Sequence, residues 1–122
     1  MGKFKVLLVD DEEELVKALA ERLELRGIQQ EVALNGEQAL QIVQDGPPDI
    51  MVLDLKMPGI DGLEVLRRVK RAHPRVQVII MTGHGSEHDE EIARRLGAFD
   101  YLQKPVDISE LVKTMNRASE MT

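Results

Sequence analysis

The hydrophobic residues of the chain form two kinds of segment that alternate along the sequence. Nearly continuous apolar runs rich in β-branched residues occupy positions 6–9, 50–53 and 76–81, and weaker runs lie at 28–34 and 99–102. Continuous runs are typical of strands that are covered on both faces, as in parallel sheets. Between the runs, apolar residues recur at helical spacing, as at Leu15, Leu19 and Leu23, which indicates amphipathic helices that face a core.

Capping residues and helix breakers mark the ends of the predicted helices. Four predicted starts carry a cap residue with an acid or amide three positions later: Asn35, Asp61, Ser86 and Asp107. Such pairs can satisfy the free N–H groups of a first helical turn. The predicted stops are Gly27, Gly46, Gly97 and the His73–Pro74 pair. Glycine suits a helix C-terminus, and the residue before a proline disfavours the helical conformation.

These boundaries predict five strands and five helices in alternation. The predicted strands are β1 (4–9), β2 (28–34), β3 (49–54), β4 (76–81) and β5 (99–102). The predicted helices are α1 (12–26), α2 (36–45), α3 (62–72), α4 (87–96) and α5 (108–119). Five βα units in a chain of 122 residues imply right-handed crossovers and a doubly wound α/β sheet. We expect a single domain over residues 1–122.

Polar residues gather at the predicted carboxyl ends of the strands, where ligands bind in open α/β sheets. Asp10 and Asp11 follow β1, Asp54 ends β3, Thr82 follows β4 and Lys104 follows β5. Three carboxylates at one edge raise one another's pKa unless a cation pairs with them, and Mg²⁺ suits such a site. A lysine and a hydroxyl can hold further phosphate oxygens, and an aspartate can act as a nucleophile. The set predicts a site that takes a phosphoryl group onto Asp54.

Each residue of this set also has an ordinary explanation. Asp10 and Asp11 before a helix complement the helix dipole, and Asp54 can be a simple loop residue. Thr82 and Lys104 can belong to an ordinary strand exit and an ordinary turn. The occurrence of all of them at one sheet edge favours the phosphoryl site.

Composition narrows the function further. The chain has 16 Lys and Arg against 22 Asp and Glu, a net charge of −6, which argues against direct binding to a nucleic-acid backbone. With one Tyr, two Phe and no Trp, it offers no platform on which bases could stack. The absence of Cys excludes disulfides, thiolate zinc sites and a catalytic thiol. No apolar run approaches the roughly 20 residues of a membrane span, and we expect a cytoplasmic protein without membrane contact.

Over essentially its whole length, the sequence resembles the receiver (response regulator) domains of two-component signalling. The segments that carry the resemblance are VLLVDD (6–11), VLDLKMPGIDG (52–62), IMTGHG (80–85) and GAFDYLQKP (97–105). The MTGHG run is most similar to receivers attached to ATPase-type or helix-turn-helix transcription activators. The resemblance implies a flavodoxin-like doubly wound (βα)5 fold, with a five-stranded parallel sheet in the order 2-1-3-4-5.

The resemblance also implies which residues hold the metal and the phosphoryl group. Asp54 is then the phosphoacceptor, Asp11 the direct Mg²⁺ ligand, and Asp10 the acid that holds metal-bound water. The backbone carbonyl of Lys56 completes the protein's share of the metal shell. Lys104 is the amine that pairs with the phosphoryl group.

A second set of implied roles concerns the switch. Thr82 resembles the hydroxyl residue that moves toward the phosphoryl oxygen, and Tyr101 the aromatic that turns inward as Thr82 moves. The bond between Lys104 and Pro105 is implied to be cis. The α4–β5–α5 face, roughly residues 86–119, is the implied output or dimerisation surface.

The implied function is a phosphorylation-activated switch and not an enzyme in the usual sense. A sensor histidine kinase or phosphotransfer protein presents a phosphohistidine, and Mg²⁺ neutralises charge during in-line transfer to Asp54. The mixed anhydride hydrolyses with water, which gives slow self-dephosphorylation. The effector lies on another chain or beyond residue 122, since a stand-alone regulator and the N-terminal domain of a longer one look alike here.

Three other functions compete with this hypothesis. A phosphatase of the haloacid dehalogenase type needs a second acid two residues after its nucleophile, where this chain has Lys56. A flavin or nucleotide module needs a phosphate-binding loop after β1, where Asp10 and Asp11 repel a bare phosphate. A phosphorylation-independent binding domain is the third alternative, and failure to bind Mg²⁺ or a phosphoryl mimic would favour it.

Some single residues keep two interpretations. Tyr101 can be a switch residue or plain core packing. The Lys56 side chain can tune the lifetime of the phosphoryl group or lie passively on the surface, and His84 can influence access to the site. The basic run at 67–75 is a solvated helix face or a docking patch for an acidic partner.

Overall fold

The computed structural model describes residues 4–121. The strands are β1 (Lys5–Val9), β2 (Gln29–Ala33), β3 (Ile50–Leu53), β4 (Gln77–Thr82) and β5 (Asp100–Gln103). The helices are α1 (Glu13–Leu25), α2 (Gly36–Asp45), α3 (Gly62–Ala72), α4 (Glu87–Arg95) and α5 (Ile108–Ser119). All neighbouring strands are parallel, in the order β2-β1-β3-β4-β5. The predicted α/β class and strand order are confirmed. The predicted domain span of 1–122 stays a prediction, and its terminal residues 1–3 and 122 lie outside the described part.

Strands β4 and β5 each run one residue further than the apolar pattern predicts. Thr82 and Gln103 are register partners at the ends of these strands, and the Lys104 N–H donates to the Thr82 carbonyl at 2.9 Å. Backbone pairing therefore continues past the last apolar side chain. Thr82 is therefore the last residue of β4. The prediction that β4 ends at residue 81, with Thr82 in the following loop, is wrong by one residue.

Helices cover both faces of the sheet, which explains the continuous apolar runs in the sequence. Leu7 and Val9 belong to a buried cluster with residues of α2, α3 and α4. Val6 and Leu8 point the other way, into a cluster with residues of α1 and α5. Each inward side chain of this size contributes about 1.5–3 kcal/mol when fully buried. The two layers hold the strands at a fixed register, and the register positions the residues that follow.

All four predicted cap residues accept a backbone hydrogen bond at a helix start: Asn35, Asp61, Ser86 and Asp107. The capping box is reciprocal at Ser86, whose own N–H donates to the Asp89 carboxylate at 3.1 Å. Helix α1 differs because Glu12, at its N-cap position, makes no side-chain capping bond. The Glu12 carboxylate is therefore available for a contact elsewhere.

None of the helices among residues 4–121 combines the length and the apolar character that a membrane crossing needs.

Helix α3 begins directly against the backbone of Asp54. The Gly62 N–H donates to the Leu55 carbonyl at 2.9 Å. A Cβ at position 62 would overlap the Asp54 carbonyl oxygen and would lie 2.6 Å from the Leu55 Cα. These are backbone atoms, which cannot rotate out of the way, so the close approach of α3 to the end of β3 requires glycine.

We expect Gly62→Ala to lower the free energy of unfolding by about 2 kcal/mol, because overpacking typically costs 1–3 kcal/mol. Because the overlapping atoms belong to the backbone, we place the cost at the upper end of this range, and the value of about 2 kcal/mol already subtracts the gain of about 1 kcal/mol that alanine brings inside a helix. Urea denaturation checks the value. Gly46→Ala is the matched control, because its Cβ would have the Lys5 Nζ, 3.9 Å away, as its nearest neighbour. Equal stability of the two variants would contradict the steric argument.

Candidate functional site

The strand register brings Asp10 and Asp54 side by side at the carboxyl edge of the sheet. Val9 and Leu53 are register partners, so the residues that follow them leave the sheet together. The Asp54 N–H donates to the Val9 carbonyl at 3.0 Å, and the Asp10 N–H donates to the Ala33 carbonyl at 3.1 Å. Both backbones are thus fixed by sheet-like hydrogen bonds, and both side chains are buried, with exposed fractions of 2% and 4%.

Lys104 connects these carboxylates from the end of β5. Its Nζ lies 2.7 Å from an Asp10 oxygen, 2.8 Å from a Glu12 oxygen and 3.5 Å from an Asp54 oxygen. The peptide bond between Lys104 and Pro105 is cis, which confirms that prediction. Residues separated by 94 positions in the chain therefore share one ion cluster.

The charges in this cluster do not balance. Burial raises the pKa of Asp10 above its ordinary value, although hydrogen bonds from Lys104 and from the Glu12 N–H act in the opposite direction. Burial alone lowers the pKa of Lys104, but its hydrogen bonds with Asp10 and Glu12 outweigh burial and raise it. Lys104 is thus held in its charged form. One ammonium serves two buried acids and one exposed acid, which leaves room for a further cation.

The donor set fits a hard divalent cation. Asp10, Glu12 and Asp54 each offer a carboxylate oxygen, and these oxygens lie within 4.8 Å of one another. Mg²⁺ prefers oxygen ligands of this kind and binds through one or two carboxylates. Two acids of the predicted cluster, Asp10 and Asp54, therefore lie together, with Glu12 and not Asp11 as the third acid, and this donor set fits Mg²⁺.

Glu12 is the member of this cluster that the sequence did not identify. The resemblance to receiver domains implies that Asp11 is a direct ligand, but Asp11 is exposed and is not among the three clustered acids. Its role as a ligand stays a prediction. Glu12 could be taken for a charge at the start of α1, but the helix begins one residue later, at Glu13. Its carboxylate instead reaches Lys104, whose hydrogen bond and charge lower the pKa of Glu12.

Lys56 borders the site on the β3–α3 side. Its backbone N–H donates to an Asp54 oxygen at 3.4 Å. Its Nζ lies 3.6 Å from an Asp89 oxygen at the start of α4. The predicted metal contact of its backbone carbonyl stays a prediction. The side chain links the loop after the predicted phosphoacceptor to α4.

Thr82 and Tyr101 lie on neighbouring strands beside the cluster. Thr82 is fully buried, and its hydroxyl accepts a hydrogen bond from the His84 N–H at 3.3 Å. Tyr101 is half-buried and packs against the core cluster beneath α3 and α4. Its hydroxyl is already buried in the unphosphorylated chain. The ring thus already has an inward position without phosphorylation. Whether Tyr101 turns inward together with Thr82 stays a prediction.

We expect Glu12→Gln to weaken Mg²⁺ binding about five-fold, because it removes one negative charge near the other carboxylates. Titration with Mg²⁺, followed by NMR, measures the dissociation constant. Glu13→Gln is the matched control: it changes the net charge equally, but Glu13 pairs with Lys17 at 2.8 Å on the surface. An equal effect of the two variants would show that Glu12 has no place in the cation cluster.

Comparison with known proteins identifies the family. The sequence model of the response regulator receiver domain matches residues 6–116. The chain therefore belongs to the response regulator receiver domain family, as its motifs suggested.

Relatives with similar sequences are longer proteins. A putative NtrX-like response regulator from Rickettsia conorii is 40% identical over the whole of this chain, which spans 26% of that protein. The DNA-binding transcriptional regulator NtrC from Escherichia coli K12 is 39% identical over 93% of this chain, which spans 24% of it. The chain thus corresponds to about a quarter of each of these relatives.

Solved structures agree with the fold. The receiver domain of NtrX from Brucella abortus is 32% identical, has a TM-score of 0.89, and covers 96% of this chain and 99% of its own. A CheY-like receiver domain protein from Methanospirillum hungatei JF-1 has a TM-score of 0.93 over 98% of this chain and 97% of its own. At 24% identity, the latter supports the flavodoxin-like fold alone.

Proposed function

We propose that the chain is a phosphorylation-activated switch of a two-component system, which accepts a phosphoryl group on Asp54 with the help of Mg²⁺. The donor is a sensor histidine kinase or a phosphotransfer protein in the cytoplasm. The observation that carries the proposal is the cluster of Asp10, Glu12 and Asp54 around the single amine of Lys104. Carboxylates, a cation site and an amine are the parts that phosphoryl transfer to an acid requires.

Asp54 is the nucleophile in this proposal. A bond forms between its carboxylate oxygen and phosphorus as the bond from phosphorus to the donor's imidazole nitrogen breaks. The imidazole leaves with the electron pair. The Lys56 N–H, 3.4 Å from one Asp54 oxygen, favours one orientation of the carboxylate and leaves the other oxygen toward Lys104. When bound, Mg²⁺ supplies positive charge that offsets the carboxylates and the phosphoryl oxygens.

Lys104 and Thr82 receive the phosphoryl group once it is on Asp54. The Lys104 amine is held by Asp10 and Glu12 before transfer, and its position 3.5 Å from Asp54 lets it turn to a phosphoryl oxygen. The Thr82 hydroxyl now accepts a hydrogen bond from His84 and can donate to another phosphoryl oxygen. The added negative charge biases an equilibrium between two states of the domain.

The acyl phosphate on Asp54 is hydrolysed by water and returns the carboxylate and inorganic phosphate. This slow self-dephosphorylation is a property of the switch and not a turnover of substrate. The haloacid dehalogenase alternative is disfavoured because its second acid would occupy position 56. There the chain has a lysine whose side chain lies near Asp89.

The face formed by α4, β5 and α5 is the proposed output surface. Asp100 on β5 lies 3.4 Å from an Arg94 nitrogen of α4 and 3.3 Å from an Arg117 nitrogen of α5. A shift of one element therefore changes ion pairs with the other two. We assign this face to an effector, or to a second copy on phosphorylation. The effector is another chain or a further domain of a longer protein. Relatives about four times longer than this chain favour the second possibility.

We expect Asp54→Asn to abolish incorporation of phosphate from labelled acetyl phosphate with Mg²⁺, because the amide is not a nucleophile. Asp45→Asn makes the same chemical change at an exposed position at the end of α2 and should leave labelling intact. Undiminished labelling of the Asp54 variant would remove the central element of the proposal.

We expect Thr82→Ala to accept phosphate but to transmit it poorly, because the hydroxyl that senses the phosphoryl group is missing. The measurement is the phosphorylation-dependent NMR shift of residues 86–119. Thr82→Ser keeps the hydroxyl and should keep the shifts. Shifts of normal size in the alanine variant would refute the switch role of Thr82.

A further inference from the structure

The Tyr101 hydroxyl stands out among the buried polar groups of residues 4–121. It is the sole buried side-chain oxygen or nitrogen in that part of the chain without a hydrogen-bond partner. Such a group gives up its hydrogen bonds to water without replacement, which costs free energy. The hydroxyl stays in this buried position because the Tyr101 ring packs against the hydrophobic cluster beneath α3 and α4. This packing places the hydroxyl in the interior, where it has no hydrogen-bond partner. Its inward position therefore requires an open volume next to the ring.

Gly85, in the loop between β4 and α4, provides that space. A Cβ at position 85 would overlap the Tyr101 hydroxyl oxygen, lie 2.9 Å from the Tyr101 Cζ and lie 2.8 Å from the Thr82 Cγ2. The φ angle of Gly85 is not positive, so the backbone conformation itself does not require glycine. The phenol therefore occupies the volume that any other side chain at position 85 would fill.

Gly83, two residues earlier in the same loop, has no such constraint. A Cβ there would make ordinary contacts with the Lys104 side chain, at 3.6 and 3.8 Å. The two glycines thus differ in one respect that matters here, the proximity of the Tyr101 hydroxyl.

We propose that Gly85 is a positioning residue for Tyr101, because its missing side chain admits the phenol to the inward position in the resting protein. The inward position of the ring then depends on the absence of a side chain at position 85, before any phosphoryl group is present. Gly85 lies between Thr82 and Ser86, the N-cap of α4. A displacement of this loop changes the room available to the ring. The signalling consequence rests on the proposed function, whereas the position of the ring does not.

Tyr101 is an intrinsic probe of its own position. The chain has a single tyrosine and no tryptophan, so tyrosine fluorescence and phenolate absorbance report this residue alone. Burial raises the pKa of Tyr101, and the negative charges of Asp89, Glu90 and Asp54 raise it further. A ring that turns outward loses the burial contribution and becomes accessible to a quencher.

The test compares Gly85→Ala with Gly83→Ala in the full chain, without Mg²⁺ or phosphodonor. In Gly85→Ala we expect stronger acrylamide quenching and a Tyr101 pKa that falls toward that of an exposed tyrosine, while Gly83→Ala keeps the wild-type values. Circular dichroism confirms that each variant is folded. Wild-type quenching and pKa in folded Gly85→Ala would overturn the proposal, since the loop and not the ring would then have moved.

A double-mutant cycle keeps the proposal testable when Gly85→Ala unfolds. In a Tyr101→Ala background the space is open, so adding Gly85→Ala should lower the urea midpoint less than it does in the wild type. The same loss in both backgrounds would overturn the proposal. None of these measurements involves phosphoryl transfer, so their failure is distinguishable from failure of the proposed function.

Discussion

Two buried carboxylates that share one ammonium are the constraint on which the rest of the molecule depends. Burying an ionised acid is costly unless a counter-charge lies close to it, and Asp10 and Asp54 have one such partner, Lys104. The arrangement persists because the register of Val9 with Leu53 leaves these acids no other place. The unbalanced negative charge lowers the stability of the folded protein. The same charge makes the site suited to a divalent cation and a phosphoryl donor.

Lys104 also connects the cluster to the moving parts of the proposed switch. Its side chain joins Asp10 and Glu12, and its backbone N–H donates to the Thr82 carbonyl. Thr82 leads into the loop that contains Gly85, and this loop contacts the Tyr101 ring. Asp54 is therefore connected through Lys104 and Thr82 to the β4–α4 loop, and this loop ends at Ser86, the N-cap of α4.

Apolar runs and cap residues are local signals, and they predicted the strands and helices, whereas the strand order followed from the resemblance to receiver domains. The sequence also predicted that Asp10, Asp54 and Lys104 lie at one edge of the sheet, as the structure has them. The contact between Glu12 and Lys104 was not predicted from the sequence. It depends on the residue at which α1 begins, which is Glu13. The sequence placed the end of β4 too early, because pairing of Thr82 with Gln103 needs no apolar side chain. The relation of Gly85 to Tyr101 had no sequence signal, since it depends on how a loop and a distant strand pack.

The most direct test of the central claim is to locate the phosphoryl group. The protein is incubated with acetyl phosphate and Mg²⁺, the acyl phosphate is reduced with borohydride, and the modified peptide is identified by mass spectrometry. We expect modification at Asp54, and its loss when Mg²⁺ is chelated. Modification at another carboxylate, or modification that is unaffected by chelation, would contradict the assignment of this cluster as a Mg²⁺-dependent phosphoacceptor site.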